Sequence, residues 1–174
     1  MRTDCGIRCS SNKKHPQTVS TSVKTSEGVF LLETTAKGLY ALRFPCQCSW
    51  AGTGLKVKRS CLKRIMKAIQ GYFTDPAVKF SFKIDLSDCT PFQRKVYTAL
   101  RKVPRGETVT YAALAKRAGY PGAARAVGTA MKKNRLPVVI PCHRVVPASG
   151  GVGEYSAGKQ WKRFLLRHEG LDVE

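Results

Sequence analysis

The spacing of apolar residues changes character at residue 90, and that change limits the folds open to this chain. Before it, short runs at 18–23, 29–34 and 39–44 read as strands, separated by turn signals at Ser26-Glu27-Gly28 and Lys37-Gly38. Over 56–73 the period lengthens: Leu62, Ile65, Met66, Ile69, Tyr72 and Phe73 take one face and Lys63, Arg64 and Lys67 the other, as in an amphipathic helix. Val78, Phe80, Phe82, Ile84 and Leu86 then alternate strictly, which predicts a further strand with one face buried. Thr90-Pro91-Phe92-Gln93 is a capping box with proline at the first helical position, and helices follow it. They are expected at about 91–102, at 111–118 between a Thr110 cap and a left-handed Gly119, and at 123–133. A last helix, capped by Ser156 and ended by Glu169, has Trp161, Phe164, Leu165 and His168 on one face. The apolar run 136–140 must be buried and reads as a strand leading to Cys142. The expected fold is α+β (α/β): an N-terminal sheet with a packed helix over 1–88, and a mostly helical unit over 89–174. Residues 1–17 read as loosely ordered and 46–54 as a loop, with no internal repeat.

Charge narrows the partner. The formal net charge is +20 and the sequence pI about 10.1. A chain this basic usually meets a polyanion, nucleic acid first, although a generally adhesive basic protein has the same balance. No stretch approaches the roughly 18 apolar residues of a membrane span, and the polar start lacks the apolar core of a signal peptide. Seven cysteines, an odd number, fit reduced thiols inside a cell better than a secreted disulfide framework. The expected location is intracellular, nuclear in a eukaryote and otherwise cytoplasmic.

The helices at 111–118 and 123–133, joined by a tight turn through Tyr120-Pro121-Gly122, form a helix-turn-helix pattern. Ala123, Ala124, Ala126, Gly128 and Ala130 leave the second helix a face of small residues beside Arg125, Lys132 and Lys133. Such a face admits either a neighbouring helix or a nucleic-acid groove, and the basic flanks favour DNA.

Cys142-His143 is a weak signal alone, since most single cysteines are small buried hydrophobes. Here the pair follows a buried run and precedes the glycine-rich 149–153, in a chain with three histidines. A thiol among apolar groups is inert unless a base takes its proton, and His143 is the obvious base. Consecutive side chains in extended backbone point to opposite sides, so the two do not meet without a turn or a bridging water. On residues and spacing alone, a Cys-His acyl-transfer hydrolase stays open.

Pro141-Cys142-His143-Arg144-Val145-Val146 resembles the active-site signature of the O6-alkylguanine-DNA alkyltransferases, the methylated-DNA–protein-cysteine methyltransferases. Gly106-Glu107-Thr108-Val109-Thr110-Tyr111, Ala124-Arg125-Ala126-Val127-Gly128, Asn134 with Pro137, Gly153-Glu154-Tyr155-Ser156 and His168-Glu169-Gly170 resemble family motifs in the same order and spacing. The likeness is strong over 91–171 and only architectural over the first 88 residues. It implies direct-reversal repair of DNA: one irreversible transfer of a methyl or larger alkyl group from O6 of guanine, and from O4 of thymine, to Cys142, with no cofactor.

The resemblance also implies roles. Cys142 is the acceptor, His143 deprotonates it through a water, Glu169 orients His143, and Asn134 is the hinge between the helix-turn-helix and the active-site strand. Tyr111 donates to the guanine ring. Backbone groups of Cys142 and Val145 accept from the guanine amine, while Ser156 and Tyr155 belong to a lid. Arg125 replaces the extruded base, and Gln93, Ala112, Tyr120, Ala123, Ala124 and Ala148 line the DNA. The implied partner is double-stranded DNA held through its minor groove with the alkylated guanine flipped out, with no membrane and no obligate protein partner. Ala123 and Ala124 fit a groove only ~6 Å wide.

Two departures concern alkyl size: Ala157 stands where the family often has glycine, and Arg135 where proline often follows the asparagine. Some members hold a structural zinc in the N-terminal domain, but Cys5, Cys9 and His15 find no matching histidine later in that half, so no metal is expected. A non-catalytic damage binder of the same family lacks the cysteine that this chain keeps. A helix-turn-helix transcription factor has no use for Cys142, His143 and Glu169 together.

Overall fold

The first three runs form a three-stranded antiparallel sheet in the computed structural model, which describes residues 18–45 and 59–172. β1 (Val19–Thr25), β2 (Gly28–Thr35) and β3 (Gly38–Arg43) pair in sequence order, with a register shift at Glu33/Thr34. α1 (Arg59–Thr74) lays Ile65, Ile69, Tyr72 and Phe73 on the sheet. The expectations for 1–17 and 46–58, including Cys5, Cys9 and His15, lie outside the described residues.

The strand expected at 78–86 does not form. Its alternation survives, with Phe80, Phe82 and Ile84 half-buried between exposed Lys79, Ser81 and Lys83. Pairing is confined to one parallel bridge, Leu39 to Ile84, closed by Leu39 N–H to the Lys83 carbonyl at 3.0 Å and Asp85 N–H to the Leu39 carbonyl at 2.7 Å. Farther along β3 the edge is taken: Leu42 N–H donates to the Arg135 carbonyl at 2.8 Å. The close approach at the bridge requires glycine at 38, whose φ is +143° and whose Cβ would lie 2.2 Å from the Lys83 carbonyl oxygen.

Helix signals after residue 90 are followed closely. α2 (Pro91–Leu100) starts in the capping box, Thr90 Oγ1 accepting from Gln93 N–H at 3.2 Å and Gln93 Oε1 from Thr90 N–H at 2.9 Å. The two-residue β4 (Val109–Thr110) leads directly into α3 (Tyr111–Arg117), where Thr110 Oγ1 accepts from Ala113 N–H at 3.2 Å. α4 (Ala124–Lys132) completes the helix-turn-helix. β5 (Val145–Val146) pairs with β4 in parallel, Val109 with Val145 and Thr110 with Val146.

α5 (Lys159–His168) begins at Gly158, with φ +93°, and not at Ser156, which lies in the preceding turn. The helix is buried on two sides. Lys162, Leu165, Leu166 and the C-capping Glu169 face the helical half, while Trp161, Phe164 and His168 meet aromatic rings of the N-terminal half. Trp161 lies 5.8 Å from Phe30 and 4.6 Å from Phe44, and His168 5.3 Å from Tyr72. One apolar cluster thus runs from Val23 on the sheet to Leu165 on α5.

The capping box is a local device, so its removal should act on stability alone. Thr90→Ala should cost about 1 kcal/mol, seen as a lower urea midpoint with an unchanged m-value; an unaltered midpoint would show that the cap contributes nothing.

Candidate active site

Cys142 is delivered by buried turns and not by the expected strand at 136–140. Ile140 N–H donates to the Leu136 carbonyl at 2.8 Å, Cys142 N–H to that of Ile140 at 2.7 Å, and Val138 has φ +71°. Pro137 denies this segment a ladder donor, and the run is covered on all sides without sheet partners. Cys142 then opens a 3-10 turn, Cys142–Arg144. Asn134 ties the segment together, Nδ2 donating to the Ile140 carbonyl at 2.9 Å and to Cys142 Sγ at 3.0 Å, while Oδ1 accepts from Leu136 N–H at 2.9 Å. Tyr155 Oη lies 3.8 Å from the sulfur on its other side. Burial pushes the thiol pKa up; the hydrogen bonds with Asn134 and Tyr155 and the charge of Lys162 pull against it.

The 3-10 turn sends His143 away from Cys142, and no hydrogen bond joins them. His143 Nε2 meets Glu169 Oε1 at 2.9 Å, both side chains fully buried, and Nδ1 is buried without a protein partner. Arg144 grips the same carboxylate through Nε to Oε2 and Nη2 to Oε1, both 2.8 Å, and donates Nη1 to the Val103 carbonyl at 2.6 Å. Tyr72 Oη donates to Oε1 at 2.7 Å. Burial opposes ionising Glu169, but the bonds from His143 and Arg144 win and hold its carboxyl well below the usual carboxylate range. Burial lowers the His143 pKa and outweighs the support of Glu169, so the imidazole rests neutral.

The parallel ladder sets Tyr111 beside this centre, because Thr110 pairs with Val146 and also caps the helix that Tyr111 opens. Burial raises the Tyr111 pKa, and Cys142 and Glu154 are the charges it faces. The Val145 carbonyl accepts from buried Lys162 Nζ at 2.6 Å, and burial brings that ammonium down to about 8.

Residues 91–171 match the 6-O-methylguanine DNA methyltransferase, DNA binding domain family. The methylated-DNA–protein-cysteine methyltransferase of Salmonella typhimurium is 52% identical over 81 residues, 47% of each chain. The chain therefore spans about half the length of that curated relative. The Mycobacterium tuberculosis O6-methylguanine methyltransferase superposes with a TM-score of 0.73 at 31% identity, covering 88% of this chain and 93% of the other. The Mycobacterium tuberculosis OGT in complex with DNA does so at 0.73 and 34%, covering 85% and 90%. The chain belongs to the methylated-DNA–protein-cysteine methyltransferase family.

The residues that the resemblance singles out meet at one centre: Asn134 and Tyr155 on the thiol, Glu169 on His143, Tyr111 alongside. Ser156 is apart from it, exposed on the turn before α5. The residues read as lining DNA sit at the surface. Ala112, Arg125 and Ala148 are exposed, and Ala123, Ala124 and Tyr120 are half-buried. Gln93 is engaged in its own cap, and Tyr120 packs on Phe92 at 4.9 Å beneath Lys95 Nζ.

Four contributors escape the sequence. Tyr72 reads as one more apolar position of α1. Arg144 reads as part of the signature with no partner assigned. Lys162 lies three, four and seven residues before Leu165, Leu166 and Glu169, and that helical spacing already puts it on a buried stripe. Arg135 closes on Asp88 with both terminal guanidinium nitrogens, 3.9 Å over the Tyr40 ring, whose hydroxyl also donates to Asp88 at 2.9 Å. Arg135 thus anchors the chain just after Asn134 to the N-terminal half.

Because the folded Glu169 pKa lies below its unfolded value, its stabilisation is present above about pH 4.3 and is lost as pH falls through the folded value. Wild type should lose melting temperature on acidification more steeply than Glu169→Gln, which starts lower at pH 7. Parallel melting curves would show that Glu169 is not held ionised.

Proposed function

We propose that this protein repairs DNA by moving one alkyl group from O6 of guanine to Cys142. The observation that carries the reading is the buried Sγ, held by Asn134 and Tyr155 beside a neutral His143 whose far nitrogen rests on ionised Glu169. Family membership and a DNA-bound relative of 34% identity support DNA as the partner. The thiol proton passes through a water to His143 Nδ1, and the imidazolium is stabilised by Glu169. The thiolate attacks the alkyl carbon, a C–S bond forms as the C–O bond breaks, and guanine leaves with Tyr111 donating to its ring. The product is a thioether with no easy leaving group, so each molecule reacts once.

Reaching a base inside the duplex requires extrusion, at a cost of a few kcal/mol. In this reading Arg125 fills the hole, the small residues Ala123 and Ala124 enter the minor groove, and Gln93, Ala112, Tyr120 and Ala148 hold the strand. Ser156 and Tyr155 close over O6, backbone groups of Cys142 and Val145 take the guanine amine, and O4-alkylthymine is accepted similarly. The sheet half up to residue 88 buttresses the site, and the rest binds DNA and reacts.

Incubation with a duplex carrying labelled O6-methylguanine should place label on Cys142 alone, and Cys142→Ala should take none. His143→Ala and Glu169→Gln should be slower by about 10²–10⁴-fold with DNA affinity near wild type. Label on Cys61 or Cys89, or undiminished rates, would overturn the assignment.

Arg125→Ala should lose repair of duplex DNA while still reacting with the free base O6-benzylguanine, and Lys should rescue only partly because it lacks a planar group to stack. Equal slowing of both reactions would make Arg125 a support of the fold.

A further inference from the structure

Three donors converge on one oxygen of Glu169. Oε1 takes Tyr72 Oη at 2.7 Å, His143 Nε2 at 2.9 Å and Arg144 Nη2 at 2.8 Å, whereas Oε2 takes Arg144 Nε alone. A fork that holds both oxygens is enough to orient a carboxylate. The Tyr72 hydroxyl is therefore surplus as a tether, yet it draws on the same oxygen that supports His143. It reaches there from α1, 97 residues away in the chain. Its ring is clamped by Phe73 at 5.3 Å and Phe80 at 5.8 Å, and its carbonyl lies 2.6 Å from His168 Nε2. Burial and the Glu169 charge raise the phenol pKa, so the hydroxyl stays a donor through the neutral range.

We propose that Tyr72 is a positioning residue that sets the basicity of the Glu169–His143 couple, so that the N-terminal half governs how readily Cys142 is activated. This rests on the alkyl-transfer reading above. A hydroxyl donated to a carboxylate withdraws charge from the oxygen that accepts it. His143 then has weaker support for its charged form and stays neutral, free to accept the thiol proton. The other charged or titratable groups facing the couple are Arg144 beside it, Lys162 from α5, and Tyr155 and Cys142 across the site. Arg144 and Lys162 also disfavour the imidazolium, but neither draws on Oε1 from the N-terminal half.

The test uses the full chain with Tyr72→Phe, and separately with 3,5-difluorotyrosine at position 72, whose more acidic hydroxyl is the stronger donor. Two quantities are read: the His143 titration midpoint by NMR, and the acid limb of the single-turnover rate on an O6-methylguanine duplex. Losing the hydroxyl leaves Oε1 more basic, so Tyr72→Phe should move both upward by about one pH unit. The difluoro variant should move both downward. A lower melting temperature with unmoved midpoint and limb, or shifts of the same sign in both variants, would overturn the proposal. If wild type transfers no label, the alkyl-transfer reading fails, while the His143 midpoint still decides the role of Tyr72.

Discussion

A carboxylate shut away from water must be given donors by the protein, and the Glu169 side chain, fully buried, receives four from three residues. Tyr72 comes from the N-terminal half, His143 and Arg144 from the 3-10 turn that begins at the reactive cysteine. Arg144 in turn reaches the Val103 carbonyl, in the loop between α2 and β4. The end of α5, the active-site turn and α1 are therefore fixed by one charge. The same geometry aims His143 with Nε2 on the carboxylate, which leaves Nδ1 as its only free basic atom.

The thiol lies under opposite influences. Burial keeps it protonated and protects it from casual oxidation or alkylation. Asn134 and Tyr155 hold hydrogen-bonding groups against the sulfur, and Lys162 lends positive charge, all of which favour the thiolate once a base takes the proton.

Asn134 also links the helix-turn-helix to the cysteine. It follows α4 by two residues and bonds the cysteine sulfur directly. Its neighbour Arg135 is pinned to Asp88 and Tyr40, and the Arg135 carbonyl caps the edge of β3 through Leu42. α4 and the thiol are thus joined over a very short path, beside the N-terminal sheet.

Local chemistry was legible in the sequence because its causes are local. The capping box at Thr90, the Thr110 cap, the glycine end at Gly119 and the first three strands each depend on a few neighbouring residues. The roles of Cys142, His143 and Glu169 came from the resemblance instead, since residues and spacing alone left a Cys-His hydrolase open. What tertiary structure alone decided was where alternation finds a partner and where charge finds a counterpart. Residues 78–86 keep their pattern, yet Arg135 occupies the β3 edge they would need. The run at 136–140 is buried as its apolarity requires, but proline and Asn134 fold it into turns. Tyr72 and Glu169 are 97 residues apart, and no period or motif links them. Their meeting follows from packing α1 against α5 in one core, which depends on the whole chain at once.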